Sequence, residues 1–109
     1  MSSTNLTING HHLEITPSIR EYVIKKIDRV LRHTEGATAA IVNLSVEPLK
    51  HRAEITIRVP GKELFCEAIE EDLYAAIDIL SDKADRMVLK HKNKQHDRVH
   101  AQQRRAASL

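Results

Sequence analysis

Four cations recur at helical spacing near the end of this chain: Lys83, Arg86, Lys90 and Lys94. At about 100° per residue, the last three fall within roughly 60° of Lys83 on an ideal helix, with Lys92 on the far side. Like charges a turn apart repel, so helix stability alone gives no reason to align them. The negative end of the helix dipole offsets the repulsion by only about a few tenths of a kcal/mol. Phosphates would neutralise the row and release counterions, so its natural chemistry is salt-dependent binding of a polyanion. The plainer alternative is the solvated face of a terminal helix.

The charge distribution favours the polyanion. From Lys83 onward there are eight lysines and arginines against two acids, a net of +6, whereas the first 82 residues carry a net of −4. The overall +2 conceals this polarity, and such asymmetry points to nucleic acid. Only Tyr22, Phe65 and Tyr74 are aromatic, so a stacking platform for single-stranded bases is poorly supplied. Recognition of folded or double-stranded RNA by shape and phosphate is the better match.

Other chemistries find little support. There is no glycine-rich phosphate loop, no nucleophile motif and no supported carboxylate pair. Among seven histidines, His96 and His100 have a spacing that places two imidazoles on one helix face, but no further ligands complete a shell. No catalytic residue, metal or cofactor is therefore expected. His11 and His12 read as loop residues and Cys66 as a small core residue.

The elements that must carry the ridge are legible in the pattern. Leu6 to Asn9 alternate as a strand. Thr16-Pro17 opens a helix with a capping hydroxyl and a proline suited to the first turn. Ile19, Val23, Ile27, Val30 and Leu31 supply its apolar stripe, and it ends before Gly36. Ala40 to Glu47, Ala53 to Val59 and Lys62 to Ile69 alternate as three strands, broken at Pro48 and at Pro60-Gly61. On the third, Leu64, Cys66 and Ala68 share one face; Phe65 and Ile69 lie on the other, so the outer sheet surface is not expected to be wholly polar. Asp72 caps the last helix, whose stripe is Leu73, Ile77, Leu80, Ala84, Met87 and Val88. The expected fold is α+β, in the order β-α-β-β-β-α, a four-stranded sheet with both helices on one face. Residues 1–97 are expected to form the domain and 98–109 a basic, disordered tail.

At 109 residues, 41% hydrophobic and 29% charged, the chain reads as one soluble globular domain. No apolar run approaches the roughly 20 residues of a membrane span. The first residues do not read as a signal peptide, and a single cysteine suits a reducing compartment, so a cytoplasmic location is expected.

Several strings carry a family resemblance: LTINGHHLEITPSIREYV at 6–23 and EEDLYAAIDILSDKADRMVLKHKNK at 70–94. Within them, ITPSIR and DLYAAID followed by DKADR and KHK are specific in combination. The chain resembles the bacterial ribosome hibernation-promoting factor and ribosome-associated inhibitor family, the sigma-54 modulation protein family. That resemblance implies a double-stranded-RNA-binding-domain-like fold. It also implies binding to the small ribosomal subunit, through 16S ribosomal RNA, in the channel used by messenger and transfer RNA. Translation would be blocked and ribosomes stored in stationary phase or stress, without catalysis. Carried over residue by residue, the RNA-binding positions are Arg20, Lys83, Arg86, Lys90, His91, Lys92 and Lys94. Lys25, Lys26 and Arg29 match more loosely, while Tyr74 and Asp78 look characteristic of the family with structural roles. The length resembles the short class, which promotes ribosome dimers together with a separate small modulation factor. The free protein is expected to be a monomer. The rival expectation is a generic double-stranded-RNA-binding or RNA chaperone protein.

Overall fold

Thr16 sits in extended conformation at the start of the first helix, and its hydroxyl accepts a hydrogen bond from the Ile19 amide at 3.2 Å. Proline at the first helical position loses no hydrogen bond there, and α1 runs Pro17–Arg32. The computed structural model describes the backbone of residues 5–107 and the side chains of 5–94. Strands β1 (Asn5–His11), β2 (Ala39–Glu47), β3 (Lys50–Val59) and β4 (Lys62–Glu70) and helix α2 (Leu73–Ala107) complete the order β-α-β-β-β-α.

The sheet order is β1-β2-β3-β4. β1 lies parallel to β2, pairing Asn5 with Ala39 and His11 with Ser45; α1 is the crossover that a parallel pair requires. β2–β3 and β3–β4 are antiparallel hairpins, closing at Glu47–Lys50 and Val59–Lys62. Each turn places proline first and a left-handed residue second. Gly61 takes φ +76° without cost, but at the other turn Leu49 takes φ +72° and is 91% exposed, a strained conformation for a branched side chain.

One core joins the layers. Ile19, Val23, Ile27, Val30 and Leu31 of α1 meet Ala40, Val42, Leu44, Ala53, Ile55, Ile57, Val59, Leu64 and Ala68 of the sheet. Leu73, Ala76, Ile77, Leu80, Ala84 and Val88 of α2 close it. The expected four-stranded sheet with two helices on one face is what forms. Phe65 and Ile69 stand exposed on the opposite face, as β4's alternation requires. Cys66 is half-buried rather than fully inside.

The end of α2 departs from expectation. The helix continues to Ala107, although apolar periodicity stops near Asp97. Gln, Ala and Arg are strong helix formers, so propensity supports the backbone helix beyond the apolar pattern. The side chains of 95–109, His96 and His100 included, lie outside the described residues. Among the described residues, no helix is long and apolar enough to cross a membrane.

Candidate nucleic-acid interface

Helix α2 is oriented by its cap and its stripe. The Asp72 carboxylate accepts from the Ala75 amide at 2.9 Å, and the buried residues from Leu73 to Val88 turn one face onto β3 and β4. The cations are thereby directed past the free edge of β4. Lys83 marks the position: its ammonium donates to the Glu67 backbone carbonyl of β4 at 3.1 Å. Lys83, Arg86, Lys90 and Lys94 are all exposed, and the ridge runs about 16 Å along the helix at 1.5 Å per residue. Arg86, Lys90 and Lys94 make no hydrogen bond or ion pair with another described residue. Four aligned cations with no ion pair to a described residue are an unfavourable arrangement for the free protein and a favourable one for a phosphate backbone.

The opposite flank of α2 is acidic and faces α1. Asp78 pairs with Lys26 at 3.2 Å. Arg29 reaches Asp82 at 3.2 Å and Asp85 at 4.0 Å, and His33 Nδ1 lies 3.1 Å from Asp85. These pairs are substantially exposed and each contributes about 1 kcal/mol or less to stability. Their functional consequence is larger: they occupy Lys26 and Arg29, two looser RNA-contact candidates, while leaving the ridge unpaired.

The remaining candidates are dispersed. Lys92 lies opposite the ridge and pairs with Glu35 at 3.5 Å. His91 is half-buried and sits about 80° from Lys83, on the side of the apolar stripe. Arg20 is exposed, but it is turned roughly 160° from the residues by which α1 meets α2. The structure thus brings Lys83, Arg86, Lys90 and Lys94 together and leaves Arg20, His91 and Lys92 apart from them.

Tyr22 and Asp78 form the best-connected polar contact between the helices. The Tyr22 hydroxyl donates to Asp78 at 2.5 Å, and Lys26 lies 5.6 Å from the centre of the Tyr22 ring. This bond holds Asp78 below the usual carboxylate range, with Lys26 adding and desolvation opposing. The same bond, with burial adding, pushes the Tyr22 phenol up to about 12. Asp78 also holds a neighbouring cation, Lys26. Tyr74 packs edge-on against Tyr22, with ring centres 4.9 Å apart, across the junction between the two helices. Tyr22 itself had drawn no expectation. Its place one turn before Lys26, on a stripe complementary to Asp78, Asp82 and Asp85, was the available signal.

Burial pushes the Cys66 thiol up, against a smaller opposing influence from Lys83, which makes it a poor nucleophile. Among the described residues, no group of three or more His, Cys, Asp or Glu could hold a metal ion.

Comparison with known proteins adds an independent line. Residues 6–96 match the family model described as sigma 54 modulation protein / S30EA ribosomal protein. A ribosome hibernation promoting factor of Azotobacter vinelandii is 45% identical over 97 residues, covering 89% of this chain and 91% of that protein. One from Escherichia coli K12 is 38% identical over 89 residues, covering 82% and 94%. Among solved structures, the N-terminal domain of Thermus thermophilus Protein Y superposes with a TM-score of 0.73 at 41% identity, covering 80% of this chain and 98% of that one. A ribosomal subunit interface protein from Coxiella burnetii, at 22% identity and a TM-score of 0.74 over 82% and 98%, supports the fold alone. With 91 consecutive residues matched on a fold shared with these structures, the chain belongs to the sigma-54 modulation protein / S30EA ribosomal protein family.

Proposed function

We propose that this protein is a ribosome hibernation factor that binds the small ribosomal subunit, occupies the messenger and transfer RNA channel, and keeps ribosomes inactive in stationary phase or stress. The exposed ridge of Lys83, Arg86, Lys90 and Lys94, which makes no ion pair with a described residue, carries this reading, on a fold whose relatives are named ribosome hibernation promoting factors. Occlusion requires a rigid body with phosphate-binding groups and no bond-making chemistry. The partner is 16S ribosomal RNA, and the site of action is the cytoplasm. Arg20, His91 and Lys92 are secondary contacts: in a channel lined by RNA on several sides, residues dispersed over the surface also meet phosphate. Within the family, the reading extends to ribosome dimers formed with a separate small modulation factor.

Sucrose-gradient co-sedimentation tests the proposal. The protein should enrich on small subunits at physiological salt and compete with messenger RNA loading. Equal recovery on an unrelated folded RNA would instead favour a general RNA-binding or chaperone role. Gradients with and without the modulation factor then separate dimers from inactive single ribosomes.

A further inference from the structure

Two of the three aromatic side chains, distant in sequence, meet near the starts of α1 and α2. Tyr22 and Tyr74, with Ser18, Glu21 and Lys25, line an open cleft of about 340 Å³, near the lower end of the roughly 300–1,000 Å³ range of small-ligand sites. Tyr22 forms a fixed wall, because its hydroxyl is held by Asp78 and its ring is flanked by Lys26. Tyr74 supplies the accessible aromatic surface and is 38% exposed.

The polar lining is uncommitted. Ser18, Glu21 and Lys25 are exposed and make no hydrogen bond or ion pair with another described residue. Glu21 and Lys25 stand four apart on one helix, where pairing is readily made, yet both heads are left available. A carboxylate only accepts hydrogen bonds and an ammonium only donates them. Beside an aromatic face, that set matches a nucleotide: a ring to stack, N–H groups to donate to Glu21, and a phosphate to meet Lys25.

We infer that this cleft binds one unstacked nucleobase of single-stranded RNA, with Tyr74 as the stacking surface, Glu21 reading the base edge and Lys25 holding the adjoining phosphate. Guanine fits the edge best, since its N1–H and 2-amino group present two adjacent donors to a carboxylate. Tyr74 lies about 180° from Lys83 around α2, so the cleft and the ridge meet RNA from different sides. The inference rests on the RNA-binding reading above but concerns a separate contact.

The test uses five-nucleotide RNAs, four uridines around a central guanosine, uridine or abasic residue, titrated onto the full chain. Tyrosine ring resonances report the place of binding and fluorescence anisotropy its strength. The guanosine oligomer should shift Tyr22 and Tyr74 signals and bind at least about fivefold tighter than the abasic one, the lower bound for base–aromatic stacking. Tyr74→Leu should abolish that difference, Tyr74→Phe should keep it, and Glu21→Gln should erase the preference for guanosine over uridine. Equal binding of guanosine and abasic oligomers, or shifts confined to the ridge, would overturn the inference. Tyr74→Phe retains ring packing, so it separates loss of stacking from loss of fold. Co-sedimentation with small subunits distinguishes the two readings. If the cleft is wrong but the ribosomal reading is right, Tyr74→Leu sediments like the unmodified chain while a ridge variant does not. If the ribosomal reading is wrong, the unmodified chain fails to co-sediment whatever the oligomers do.

Discussion

Replacing Lys83, Arg86 and Lys90 together with alanine removes three charges from the ridge and no buried side chain. Among the described residues, one side-chain hydrogen bond is lost, from Lys83 to the Glu67 carbonyl at 3.1 Å. That carbonyl is on an edge strand, where water replaces the ammonium, so the fold should be nearly unaffected. Binding should change in a diagnostic way. Each phosphate contact contributes about −0.7 to −0.9 to the slope of log K against log salt, so losing three flattens it by roughly 2 to 3. Over a fourfold rise from 50 to 200 mM salt, the advantage of the unmodified chain then shrinks by roughly 20- to 40-fold. Titrating labelled protein onto small subunits at four salt concentrations measures both slopes, with thermal unfolding as the control for structure. Parallel slopes, with the variant weaker by the same factor at every salt, would refute direct phosphate contact by the ridge.

The further outcomes concern the scaffold. Tyr22→Phe deletes the hydroxyl that donates to Asp78 and should cost about 1 kcal/mol, read as a lower urea midpoint with unchanged slope. The pair also sets two pH limits. Asp78, held low, contributes stability that is complete above the ordinary carboxylate range and is lost as pH falls through its own lower value. Tyr22 contributes below its unfolded value of 10.0 and loses that contribution as pH rises through about 12; ultraviolet titration should show this late phenol, and Asp78→Asn should bring it down. Thr16→Ala removes the cap on the Ile19 amide and should lower stability by about 1 kcal/mol, seen in thermal melts. Leu49→Asn should raise the melting temperature, with a gain of up to about 1 kcal/mol, because asparagine tolerates the left-handed conformation that Leu49 adopts at φ +72°.

What the sequence disclosed follows from the range of the interactions involved. Alternation in β2 and β3, the Thr16 and Asp72 caps and the α2 stripe are local signals, and each appears where periodicity placed it. The ridge was legible for the same reason, since four positions on one helix need only a helix to align them. The pairing of Tyr22 with Tyr74 and the neutralisation of Arg29 by Asp82 and Asp85 depend on how α1 and α2 cross. No property of either segment alone reports that. Lys26, a looser RNA-contact candidate than Lys83, gave no sign in the sequence of its partner across the helix interface. The continuation of α2 to Ala107 was missed because the reading followed apolar periodicity, whereas helix propensity leaves no periodic mark in the sequence.

The placement of the ridge on the last element has a consequence for the order in which the chain is made. Synthesis runs from the negative part to the positive part: everything through Asp82 sums to −4, and the cations follow. The chain therefore changes sign along its length, and only its later part is cationic. The helix that carries the ridge can be oriented only after β3 and β4 exist to receive its apolar face. The cationic face is thus a late product of folding: its direction is set by a sheet that must already be in place.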